Sequence, residues 1–108
     1  MPPPPEGAES NDKKQEEIMS LVNLGPRALL LCQARQWSTR WDARIAQLLL
    51  EIAELAEAIR GKRGNPHMEA GDVLLVLASL FEAHGIPLDQ AVEEAHRKID
   101  ALMDAPRY

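Results

Sequence analysis

The sequence predicts an all-α, four-helix-bundle-like fold, and two observations carry that expectation. The 108 residues are rich in Leu, Ala, Glu and Arg and sparse in β-branched types, a composition that leans helical. From Ile45 to Ile59 apolar residues recur at i, i+3, i+4 and i+7, and glycine and proline separate that run from its neighbours. A chain of this length is one domain at most. It buries only roughly 60–65% of the surface exposed by its unfolded form, so its own core is modest.

Residues 1–14, MPPPPEGAESNDKK, are proline-rich, polar and aperiodic. Such a segment buries too little apolar surface to offset its ordering entropy, and a disordered tail is expected. Residues 15–108 form the expected all-α domain. In QEEIMSLVNL, Ile18, Met19, Leu21 and Val22 have roughly helical spacing. Gly25-Pro26 interrupts that segment, and Pro26 suits the first turn of a new helix through RALLLCQARQW; the two expectations are a short helix followed by a main helix, or one kinked element. The next helix has Ser38 or Thr39 as its expected cap, and Asp42 in the first turn, where the helix dipole favours an anion. Ile45, Leu48, Leu49, Ile52, Leu55, Ala56 and Ile59 form its apolar stripe, and Gly61 and Gly64 end it. Asn65-Pro66 is a cap followed by a first-turn proline, opening a third helix to about residue 84, closed by Gly85. IPLD leads to a fourth, with Ala91, Val92, Ala95, Ile99 and Leu102 on one side.

The third helix carries VLLVLASLF, apolar around its whole circumference. A helix of that kind is normally buried on every side, which three neighbours in so short a chain can hardly achieve. Leu50 also points away from the apolar stripe. A partner chain is therefore expected to cover part of this surface, most economically a second copy.

Net charge and cysteine content exclude several functions. The formal net charge is −5, with no long basic run, which argues against non-specific binding to nucleic acid or to an anionic membrane. A nucleotide substrate stays open, because a bound divalent metal reverses the local sign. Cys32 is the only cysteine, so no disulfide forms within one chain, and a buried, inert thiol is expected. The apolar runs fall well short of the about 20 residues of a membrane span, and no secretory signal pattern opens the chain. A cytoplasmic protein is the expectation.

Chemistry concentrates in two acidic pairs of equal spacing, Glu51 with Glu54 and Glu69 with Asp72. At 100° per residue Glu51 and Glu54 share one strip of the second helix, beside Gln47 and Ala58. Glu69 and Asp72 stack on the third, with Gly71 between them. Gly71 costs roughly 1 kcal/mol of helix propensity against alanine, in exchange for close approach by a neighbour or ligand. If the GKRGNP turn folds the two helices back on each other, four carboxylates converge, which calls for a cation. Hard oxygen ligands suit Mg2+ or Mn2+, the usual apparatus for cleaving phosphate esters and anhydrides. Taken alone the spacing is a weak signal, since Glu at i, i+3 is common on solvated helices.

LLLEIAELAEAIRGK followed by MEAGDVLLVLASLFEAHGIPLDQAVEEAHRKI resembles the MazG-type all-α nucleoside triphosphate pyrophosphohydrolases. Their signature is Glu-x-x-Glu on one helix and then Glu-x-x-Asp, here Glu51, Glu54, Glu69 and Asp72. The resemblance covers about residues 35 to 102. It implies a MazG-type bundle completed by dimerisation, as a dimer or a dimer of dimers. It also implies a Mg2+-dependent enzyme, with Mn2+ as a substitute, that cuts a (d)NTP to (d)NMP and pyrophosphate in nucleotide-pool house-cleaning. By the same resemblance the four acids are metal ligands, and Glu51 or Glu54 also orients or deprotonates the attacking water. Lys98 would contact phosphate, and Trp37 would lie near the base. His96 stands where many relatives have Asn, DALM lacks the arginine that often follows, and Leu50 replaces a further glutamate that some members carry.

Each candidate also has a plainer reading. Trp37 equally suits a core or interface, and Trp41 packing. Arg35, Arg40 and Arg44 are of a type usually solvated on helices. Glu57 reads as a surface charge pairing with Arg60 or Lys62, and Glu93 and Glu94 as a solvated face. Two competing functions remain: a phosphoribosyl-ATP pyrophosphohydrolase-like enzyme, disfavoured by the missing arginine cluster, and a non-catalytic dimeric helical adaptor in which the acids are incidental.

Overall fold

The computed structural model describes residues 21–105, so the proline-rich tail and residues 15–20 lie outside the described part. Four helices occupy it: α1 (Leu21–Arg35), α2 (Trp41–Ile59), α3 (Pro66–Ala83) and α4 (Leu88–Asp104). α3 is the central element. α1 and α2 pack along it, and α4 touches α1 and α3 but makes no contact with α2. The chain bends by 107° between α3 and α4. No single helix among the described residues is long and apolar enough to cross a membrane.

Of the two readings of the first part, the structure has the single element, since α1 runs through Gly25 and Pro26. Gly25, Ala28 and Cys32 are all buried, and their spacing of three and four puts them on one face. A Cβ on Gly25 would lie 2.8 Å from Glu82 Oε2 on α3. The glycine thus serves close helix packing, and the proline forfeits one backbone donor inside a helix already held by α3.

The cap of α2 also differs from expectation. Arg40 occupies the N-cap position with no side-chain cap bond, while Ser38 Oγ accepts from Arg40 N at 3.3 Å. Asp42 is in the first turn as expected and pairs with Arg40 at 3.3 Å. α3 starts as its sequence indicates: Asn65 Oδ1 accepts from His67 N at 2.9 Å and Met68 N at 3.4 Å, and Pro66 needs no donor partner at N1.

The core is built from small side chains. Ala28, Cys32, Ala58, Val76 and Ala78 are buried with Ser79, whose Oγ donates to Val76 O at 2.7 Å. On α2 the residues turned to α3 are Arg44, Leu48, Glu51, Leu55 and Ala58, all buried or half-buried. They are spaced by four and three, one seam of a helix. The expected apolar stripe therefore splits. Leu48 and Leu55 face inward, but Ile45, Leu49, Ile52 and Ile59 are exposed, Ile59 at 68%. α2 is apolar on two adjacent seams and has one helix to pack against. α4 buries no residue, and its Ile99, Leu102 and Met103 are exposed.

Replacing Asn65 with Ala should remove the cap of α3 and cost about 1 kcal/mol, or roughly 4–8 °C in Tm. Thermal unfolding followed by circular dichroism checks this.

Candidate functional site

The six-residue connection after α2 turns the chain back so that α3 runs antiparallel to it. Gly64 shapes that turn twice over. Its φ is +78°, a conformation L side chains rarely adopt, and a Cβ there would lie 3.0 Å from Glu69 Oε1. Glu69 thus lies against the turn. Gly71, by contrast, faces open space, and a Cβ added there would meet nothing within 4 Å. The close approach expected at Gly71 is not made within the chain.

Glu51, from the middle of α2, meets Glu69 and Asp72, from the first turns of α3. Each offers a carboxylate oxygen within 4.8 Å of the others. Glu51 Oε2 and Glu69 Oε2 are sealed from solvent and have no hydrogen-bond partner. Gln47 Nε2 donates to Glu51 Oε1 at 2.7 Å and fixes that side chain from one turn away. Among the described residues, no ion pair involves Glu51, Glu54, Glu69 or Asp72. Burial, and then the negative charges of Glu54 and Asp72, push the Glu51 carboxyl above its ordinary value, against the lowering effect of the Gln47 bond.

This donor set fits a hard divalent cation. Opposite oxygens around octahedral Mg2+ are separated by about 4.2 Å, twice its bond length, and a cation would satisfy both orphaned oxygens. Buried carboxylates left without one carry a desolvation cost.

A cavity of about 690 Å³ opens beside the cluster, lined by Glu51 and Asp72 at one end and by Trp37, Ser38 and Arg44 among others. Leu31, Leu75 and Val76 supply apolar wall. Trp37 is thus brought to the same cavity as two of the acids. Glu54 is not one of the three convergent residues; it lines a separate hollow with Glu57, Arg63, Gly64 and Glu69, while still lying near enough to raise Glu51. Lys98 is exposed on α4 in a third hollow with Ala91, Glu94, Ala95 and Arg97. Arg97 there pairs with Glu93 and Glu94.

Arg44 is where the expectation of a solvated side chain fails, for it is only 6% exposed. Its spacing of seven from Glu51 was the available signal, because residues two turns apart share a face. Apolar patterning passes over it, since a charged residue is not counted as inward-facing.

The model of the MazG nucleotide pyrophosphohydrolase domain matches residues 41–102, more than half of the chain and all four acids. The chain belongs to the MazG nucleotide pyrophosphohydrolase family. No curated protein and no solved structure matches it. The four described helices, without a strand, agree with the all-α fold of MazG domains. For a MazG domain the acidic cluster has a natural reading, as these domains are typically metal-dependent and Glu51, Glu69 and Asp72 are arranged to hold an ion.

The raised Glu51 sets a pH dependence in the metal-free protein. A carboxyl raised by folding binds its proton more tightly in the native state, so stability declines as pH climbs from the ordinary glutamate range through the folded value. Glu51→Gln abolishes that titration. The Tm of the variant minus that of the parent should therefore increase from pH 4 to pH 7 in EDTA, and calorimetry across that range reads it.

Proposed function

We propose that the chain is a Mg2+-dependent nucleoside triphosphate pyrophosphohydrolase that splits a (d)NTP into (d)NMP and pyrophosphate, in nucleotide-pool house-cleaning within the cytoplasm. The observation that carries the reading is the convergence of Glu51, Glu69 and Asp72, with orphaned oxygens on Glu51 and Glu69, beside a cavity that Glu51 and Asp72 help to line. Pockets of about 300–1,000 Å³ with apolar lining and a few placed polar groups are typical of small-molecule sites. Membership of the MazG family supplies the reaction class.

In this reading Glu51, Glu69 and Asp72 hold the ion, and Gln47 keeps Glu51 in position. Held there, Mg2+, or Mn2+ in its place, would supply positive charge against the carboxylates and the phosphoryl oxygens. Glu54, one turn from Glu51, joins it in orienting the attacking water and taking its proton. The water oxygen bonds to the α-phosphorus, the bond from that phosphorus to the bridging oxygen breaks, and its electron pair leaves on pyrophosphate. Trp37 offers its ring to the base. Because α4 makes no contact with α2, a phosphate role for Lys98 calls for α4 from a second copy.

A homodimer, or a dimer of dimers, belongs to the same proposal. Ile45, Leu49, Ile52 and Ile59 form an outward apolar seam on α2, and Ile99 and Leu102 extend the exposed surface on α4. Apolar faces of this kind mark association sites. Light scattering should give a dimer or tetramer, and Ile52→Glu should shift it toward monomer.

With a panel of (d)NTPs and Mg2+, the products should be monophosphate and pyrophosphate. Asp72→Asn and Glu69→Gln should each lower kcat by at least about 100-fold, since they remove ligands rather than outer partners. Diphosphate and phosphate as products, or full turnover by both variants, would refute this reading.

A further inference from the structure

Arg44 is a buried guanidinium without adequate partners. Its Nε is sealed from solvent and makes no hydrogen bond, and Nη1 reaches only the Cys32 Sγ, at 3.7 Å. Thiol sulfur is a weak acceptor. Among the described residues no carboxylate pairs with Arg44. A buried charge in that condition is costly, yet Arg44 forms part of the wall of the cavity that ends at Glu51 and Asp72. The cavity wall therefore carries guanidinium donors that, among the described residues, only the Cys32 thiol receives.

Position separates these donors from the phosphate-binding end. Arg44 precedes Glu51 by seven residues on α2, a rise of about 10 Å along the axis. Around it the lining is Leu31, Trp37, Leu75 and Val76, which suits the flat faces of a nucleobase rather than a phosphate. Guanidinium offers paired donors and no acceptor, so it matches an edge bearing two adjacent acceptors. Guanine has one in O6 and N7, and cytosine has one in O2 and N3. Adenine sets a donor beside each ring acceptor of its amino edge, and thymine sets N3–H between its carbonyls.

We propose that Arg44 is the specificity-determining residue of this site, selecting nucleotides whose base presents two adjacent acceptors, guanine or cytosine. The assignment rests on the nucleotide reading given above and extends it to the base. Arg44 takes no part in bond cleavage.

The test is calorimetric binding of dGMP, dCMP, dAMP and dTMP to the full chain in Mg2+, with Arg44→Met and Arg44→Lys beside the parent. Met approximates the volume without the charge, and Lys keeps the charge without the paired donors. Thermal unfolding of each variant reports whether it is folded, and Arg44→Lys keeps the comparison interpretable if Arg44→Met is not. In the parent, dGMP or dCMP should bind at least about tenfold more tightly than dAMP and dTMP, and which of the two leads identifies the edge read. Both variants should lose that preference while retaining weak binding of dAMP and dTMP. Equal affinity for all four in the parent, no binding of any, or a uniform loss across the four in the variants would overturn the proposal. Hydrolysis is not part of this readout. Failure to turn over any triphosphate refutes the pyrophosphohydrolase reading, whereas failure to discriminate bases refutes only the role of Arg44.

Discussion

The antiparallel pairing of α2 with α3 is the constraint on which the rest of this structure depends. It forms because a six-residue turn, opened by Gly61 and closed by the Asn65 cap, returns the chain along the helix it has just left. The seam that α2 presents to α3 has Glu51 at its middle and Arg44 near its start. Packing that seam necessarily withdraws charge from water, and brings Glu51 to Glu69 and Asp72. A fold guided by apolar burial alone would have used the neighbouring seam, with Ile45, Leu49 and Ile52. Placing the polar seam inward is a cost that an ion and a substrate, if bound, would offset.

That choice explains the unusual distribution of apolar surface. The second seam of α2 is left outward, and α4 lies across the structure without burying a side chain. The interior is filled by Ala, Gly, Ser, Cys and one Val, residues that permit close helix approach but bury little area. Such a core supplies limited hydrophobic stabilisation. Association through the outward faces would make up the difference, coupling the stability of the subunit to its assembly.

The cavity beside the acids carries groups of opposite charge in its lining. Its lining includes Glu51, whose Oε2 has no donor, and Arg44, whose Nε has no acceptor. Glu51 and Arg44 do not neutralise each other, because two helical turns separate them on one rigid element. A ligand with a metal-bound phosphate end and an acceptor-bearing base would meet both unmet demands. On the proposed reading, the scaffold keeps its opposite charges apart for a substrate.

The extent of α3 and α4, the Asn65 cap and the burial of Cys32 were legible in the sequence, because capping residues and apolar period act locally. So was the acidic signature, whose two halves sit in recognisable contexts on either side of a short turn. The sequence left two readings at Gly25-Pro26, and the close approach of α3 decides for the continuous helix. The inward placement of Arg44 was not legible, nor was the exposure of Ile52 and Ile59. Local sequence determines which residues can share a helix face, but where a helix is apolar on two adjacent seams, only its docking against another helix decides which seam is buried.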